Sequence, residues 1–234
     1  MSVKMKKVIR VIFFLSIIHY PLSTVTYAAP AYGTKLPKQK QLFAGLQSYT
    51  IFRSNLEKSY GRLLSQQEFL LVSFGIFDWL SLDLKGGAGN IKLRGSDSGK
   101  LDYPTYLGGG YGFRLQLLEK GPVRAVFGFQ HISIHPKTIY IGAVKHKSVL
   151  DDWQFSVLAS YAFKKITPYM GARWSRRDYI HWQDGSRKLV KSDLSESVGL
   201  IAGLDLPLTE KYWVNLEGSF FDAEAFAFSL SYGF

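Results

Sequence analysis

The sequence of 234 residues contains no cysteine, three methionines and eight prolines, and its 18 acidic residues are outnumbered by 29 basic ones. Without cysteine there is no disulfide scaffold, no thiolate metal site and no thiol nucleophile, so stability must come from packing and hydrogen bonding. Two further shortages bear on the fold. The apolar run VIFFLSII at 11–18 is too short to cross a bilayer as a helix. Beyond residue 41 almost no stretch spaces its apolar residues at the helical period, and no repeat or low-complexity block divides the chain, which excludes a helical bundle and predicts one domain.

What is present begins with an export signal. Lys4, Lys6, Lys7 and Arg10 precede the apolar run with no acid among them, and the small-residue stretch TYAAPAYG follows. This is the pattern of a secretory signal peptide over 1–31, cleaved near 28–31. Its removal takes away four of the 29 bases and none of the 18 acids, leaving 25 against 18, a net charge of +7. Residues 32–41 (YGTKLPKQKQ) read as a short, flexible periplasmic lead-in.

From there the period is two. Ten segments alternate large apolar residues with small or polar ones: 42–53, 67–77, 80–93, 104–117, 122–135, 152–163, 168–180, 195–206, 212–221 and 225–234. A tilted membrane strand needs about 9–11 residues, whereas strands of soluble sheets run to about five or six. The connections alternate as well. FDW (77–79), EKG (119–121), KKIT (164–167) and PLTEK (207–211) are short, and 54–66, 94–103, 136–151 and 181–194 are long and charged; the exception is the tight DAE at 222–224. The fold class expected is therefore all-β, a transmembrane antiparallel up-and-down barrel over 42–234 with ten strands, or eight as the alternative.

Pairing strands across the turns separates two faces. Phe220 falls opposite Phe226, Leu204 opposite Val214 and Phe113 opposite Phe127, giving a continuous apolar wall, while the other wall collects glycine, serine and charge. Only lipid outside and polar packing inside reconcile the two. The last ten residues, AFAFSLSYGF, place Phe226, Phe228, Leu230, Tyr232 and Phe234 on the apolar wall. With the signal peptide and amphipathic strands, this resembles the small outer-membrane barrels of Gram-negative bacteria, the OmpA/OmpX and opacity-protein group. The resemblance implies an outer-membrane location, contact with lipopolysaccharide, and a C-terminal strand read by the barrel-assembly machinery. Aromatic residues form two expected girdles: Trp79, Phe163, Tyr169, Tyr212, Tyr232 and Phe234 near the short turns, and Tyr106, Trp153, Trp174, Phe220 and Phe226 near the long loops.

The expected lumen network comprises Asp83, Lys85, Arg114, Arg124, Arg173, Asp205 and Glu217. Pairing Arg94 with Tyr103 sets Asp83 opposite Arg114, Gly89 opposite Gly108 and Gly87 opposite Gly110. That predicts one ion pair, and a bare glycine strip which either bends the sheet or lets Arg173 or Trp213 lie flat. GGAGN and GGGYG lack the Lys-Ser/Thr and the helix of a phosphate loop. No metal site or cofactor is expected, because His131 and His135, four residues apart on a strand, are separated by about 13 Å. The catalytic leads are the rim residues Asp151, Asp152, His181 and Asp184; they resemble the omptin proteases in placement only, since the Asp-x-His pattern of that family is missing. Basic loops carry Lys137, Lys145, Lys147, Arg176, Arg177, Arg187, Lys188 and Lys191, which suit lipopolysaccharide phosphate or another anionic surface ligand. Nucleic acid is not an expected partner, as no recognition module is present. The leading expectation for function is a closed, charge-paired barrel acting as a structural or surface-interaction protein; a narrow porin-like channel and a rim hydrolase are the alternatives.

Overall fold

Alternation becomes strand along nearly the whole chain, in a computed structural model that describes residues 32–95 and 99–234. The signal peptide expected over 1–31 lies outside the described residues. The strands are β1 (Leu42–Leu56), β2 (Gly61–Phe77), β3 (Leu80–Arg94), β4 (Lys100–Lys120), β5 (Val123–Ile134), β6 (Ile139–Ile141), β7 (Val144–Tyr161), β8 (Thr167–Gln183), β9 (Ser186–Lys191), β10 (Val198–Pro207), β11 (Tyr212–Phe220) and β12 (Glu224–Gly233). Ten of them close into an antiparallel barrel in the order β1-β2-β3-β4-β5-β7-β8-β10-β11-β12, with β12 returning to pair with β1. Closure leaves the ring of ten with no first or last strand. The short β6 and β9 lie outside this ring as hairpin partners of β7 and β8.

Through the middle of the strands the registers differ from expectation by two residues, an even slip that keeps every face there. Leu204 pairs with Leu216, Phe226 with Gly218, and Phe113 with Phe129. Asp83 stands opposite Gly112 and Arg114 opposite Ser81; Gly87 meets Gly108, and Gly89 meets Tyr106. The period sets which way a side chain points, whereas turn chemistry sets register. At β4–β5, Gly121 takes φ +57° and makes a two-residue turn with Pro122 where a three-residue one is expected, and a bulge between Gln116 and Leu118 brings the slip of three at the turn back to two.

Several strands run beyond their expected limits at the long-loop end, where β2 begins at Gly61, β7 at Val144, and β8 continues to Gln183 before folding back as β9. Here the alternation changes phase. Below, Leu46, Leu70, Leu84 and Phe228 face outward and Gln47, Asp83, Lys85 and Ser229 are buried; above, Ile91, Leu93, Leu101, Tyr103 and Tyr179 are buried and Lys92 and Asp102 face out. The upper barrel thus has a conventional apolar core, formed with Ile51, Leu63, Ile134, Leu150 and Val190.

The expectation of a flexible lead-in is corrected. Residues 32–38 turn into the lumen from the short-turn end, burying Tyr32 and Thr34 inside. The physical cause is the wall itself: Gly45, Ser73, Ser229 and Ser231 are small inward residues around Tyr32, and a barrel of this size so lined leaves space that its own side chains do not fill. Lys40 N–H donates to the Gly75 carbonyl and Gly75 N–H to that of Gln41, fixing the entry. A Cβ on Gly75 would lie 1.9 Å from the Lys38 oxygen, so only glycine permits this approach.

Candidate functional site

Inside the lower barrel, hydrogen bonds run from the lead-in across the lumen. The Tyr32 hydroxyl donates to Gln130 Oε1 at 2.7 Å, Gln130 Nε2 to Gln154 Oε1 at 2.8 Å, and Gln154 Nε2 to Asp152 Oδ2 at 2.8 Å. Arg177 joins Asp152 to Asp222, and Arg173 and Ser175 also donate to Asp222. Every group between Tyr32 and Asp222 in this chain is held on both sides.

Asp83 and Arg114 form a bidentate pair, with Nε and one terminal nitrogen each 2.9 Å from a carboxylate oxygen. They meet along the diagonal between rows, and Arg114 donates as well to the Lys35 carbonyl and to Ser73. Other members of the expected set are held by partners outside it. Lys85 donates to Gln130 and sits 4.1 Å from the Tyr32 ring centroid; Asp205 accepts from Asn215, and Glu217 from Tyr169. Arg124 lies nearer the mouth, paired with Glu119. Arg173 bonds Asp222, which the sequence reading left in a turn. Neither Arg173 nor Trp213 covers the glycine strip, where Ile134 approaches both Gly89 and Gly108; Trp213 packs edge-on against Phe43 under Lys35. Tyr169, expected in a girdle, points inward over Gly203, where a Cβ would lie 2.2 Å from the ring.

The rim candidates are not one site. Asp152 is buried with Arg177, which itself leaves the expected basic loops for the interior. Asp184 occupies the β8–β9 turn at φ +47° and accepts from the Lys145 amide. His181 faces His146, Nε2 to Nδ1 at 3.0 Å, beside a cavity of ≈ 540 Å³ lined by Tyr60, Arg187 and Lys188 among others. Of the basic residues, Lys147 and Arg187 flank the Trp182 ring at 5.2 and 5.9 Å, Lys188 covers Tyr60 at 4.3 Å and Lys137 lies 6.0 Å from Tyr106. Arg176 is paired with Asp178, and Lys191 is half-buried on β9. Among the described residues no group of three or more potential ligands could hold a metal ion.

Asp151, the remaining candidate, faces outward. Its carboxylate accepts from Ser133 Oγ at 2.5 Å and lies 3.7 Å from His131 Nε2; Ser133 is also 2.9 Å from His135 Nε2. Beneath this cluster the outer wall is apolar, with Phe127, Phe129, Phe155, Trp153 and Trp174 in a ladder of contacting rings. From Val123 to Ser133 the ten residue steps of tilted strand rise about 25 Å, the height of a barrel's lipid-facing band. Trp79, Phe163, Tyr212 and Phe234 ring the lower boundary and Tyr106, Trp153 and Trp174 the upper one. This is a transmembrane β-barrel.

Solved structures that the fold is similar to include the transport unit of the autotransporter AIDA-I from Escherichia coli (12% identity, covering 88% of this chain and 92% of that one, TM-score 0.44). Others are the outer membrane protease OmpT from Escherichia coli (12%, 91% and 99%, TM-score 0.43) and Ail, the attachment invasion locus protein of Yersinia pestis (8%, 84% and 99%, TM-score 0.35). At these identities the likeness is one of fold. No protein-family model and no curated protein sequence matches the chain.

Sequence reasoning missed Tyr32, Gln130, Asp222 and Ser133. Asp222 was hidden by its place beside a turn, and Tyr32 by its place outside any periodic segment. Ser133 carried a signal, since His131, Ser133 and His135 alternate on one face of HISIH.

Proposed function

We propose that the chain is an integral outer-membrane protein that acts from its surface and not by passing solutes through its lumen. The observation that carries this is a lumen blocked at two levels: the lead-in and its hydrogen-bonded network below, the apolar layer of Ile91, Leu93, Tyr103, Ile134, Leu150 and Tyr179 above. A water path through that upper layer would need to wet side chains that are almost wholly buried. The long-loop end presents the surface, where cations stacked on Trp182 and Tyr60 suit the phosphates of lipopolysaccharide or another anionic ligand. The resemblance of β12 to an assembly signal supports insertion by the barrel-assembly machinery. In planar bilayers the purified chain is expected to give no unitary conductance. Changing Lys147, Arg187 and Lys188 together to Ser is expected to weaken binding to lipopolysaccharide micelles and to leave heat-modifiability unchanged. Steady conductance of the wild-type barrel, or binding indifferent to the triple change, overturns the reading.

A further inference from the structure

Polar side chains are scarce on the outward wall, and four of them meet at one place. His131, Ser133 and His135 follow one another at alternate positions, the first two on the outward face of β5 between inward Ile132 and Ile134, and β7 sets Asp151 directly opposite Ser133. Ser133 Oγ touches both His135 Nε2 and the Asp151 carboxylate. His131 stands beside Asp151 with its ring 4.0 Å from that of Trp153, which fixes its place on the wall. The single proton of Ser133 Oγ lies toward the Asp151 carboxylate, and rotation about the Cβ–Oγ bond turns it to His135 Nε2, which puts an imidazole base within reach of a serine hydroxyl.

The height of the cluster defines its substrate. It stands just above the belt of Phe129, Trp153 and Trp174, where hydrocarbon gives way to headgroups. Acyl-ester carbonyls of a membrane lipid lie at that depth. The aromatic ladder below offers an apolar seat to the acyl chain, and the side of the barrel is open to the leaflet. We propose that Ser133 is the nucleophile of an acyl-ester hydrolase whose substrate is a lipid of the leaflet around the long-loop end, reached sideways from the membrane. This rests on the transmembrane placement of the barrel and is independent of the basic rim.

In the first step the Ser133 hydroxyl turns from Asp151 to His135, and Oγ bonds to the ester carbonyl carbon as its proton passes to His135 Nε2. The bond from that carbon to the lipid alcohol oxygen breaks, and the alcohol leaves with the proton from His135. Water then adds to the acyl-serine, giving a proton to the same imidazole, and the proton returns to Oγ as the fatty acid departs. The sum is ester plus water to acid plus alcohol, with no change of oxidation state. Asp151 acts as a positioning residue that holds the serine side chain.

The test uses the full chain folded in detergent and moved into phosphatidylethanolamine–phosphatidylglycerol vesicles, or in a second arm into vesicles containing lipopolysaccharide, with released fatty acid measured by mass spectrometry. Ser133→Ala and His135→Asn are each expected to slow release by at least about 100-fold. Asp151→Asn, which keeps an acceptor for Ser133, is expected to retain more activity than Asp151→Ala. A fluorophosphonate probe should add one phosphonyl group, on Ser133. Release in one arm alone supports the proposal and names the lipid. No release in either arm from a heat-modifiable barrel, release undiminished in Ser133→Ala, or no label on Ser133 overturns it. A chain that folds without detergent would instead refute the transmembrane placement.

Discussion

Asp222 shows what a single lumen residue carries. It accepts from Arg173, Arg177 and Ser175 with its side chain wholly buried, and its own backbone carbonyl accepts from Arg177. Substituting Asp222 with Ala leaves two buried guanidinium groups short of their shared counter-ion, and removing one partner of a buried pair costs roughly 3–5 kcal/mol. Asp222→Ala is expected to lower the urea midpoint of the detergent-solubilised barrel by that equivalent. Glu119→Ala should leave it nearly unmoved, because the Glu119–Arg124 pair is half exposed. At this scale the sequence was legible in part. Charges on the inner wall could be named from period alone, but their partners could not, since a two-residue slip moved Asp83 from facing Arg114 to facing Gly112. The ion pair survives because long side chains on one face reach diagonal neighbours.

At the scale of elements, the ten strands were legible because an apolar outward face and a small inward face persist along the membrane-spanning parts. Their upper extensions were not, because in β3 the apolar residues pass from outward positions at Leu82 and Leu84 to inward ones at Ile91 and Leu93, and an extra residue between Tyr103 and Tyr106 in β4 turns the alternation over. Segments such as 54–66 and 181–194 therefore read as loops although much of each is strand. The lead-in escaped notice for another reason: its burial is decided by the cavity it enters and not by its own composition. Deleting residues 32–38 is expected to leave a heat-modifiable barrel of lower stability, since Arg114 loses the Lys35 carbonyl and Lys85 the Tyr32 ring. That barrel should remain closed in bilayer recordings because the upper apolar layer is intact. Conductance should appear only when Ile91, Ile134 and Leu150 are also changed to Ser, and its appearance in the deletion alone would show that the lead-in is the sole seal.

For the whole molecule, lipid outside and polarity inside is the relation on which every other reading depends. Phe228 faces outward near mid-height of β12, between inward Ala227 and Ser229. Phe228→Arg is expected to destabilise the barrel in lipid by about 2–4 kcal/mol, measured as a shift in the urea midpoint for refolding into vesicles. If the variant were as stable as the wild type, the outward wall would not be meeting hydrocarbon. The reversal of pattern partway up the wall also governs immersion. Were the cylinder to sink by a few ångströms, Lys92, Asp102, Arg176 and Asp178 would enter oil; were it to rise, the bare rings of Trp79 and Phe163 would be dragged up from the lower boundary. The chain thus carries its own waterline, and a bilayer of altered thickness must bend to meet it.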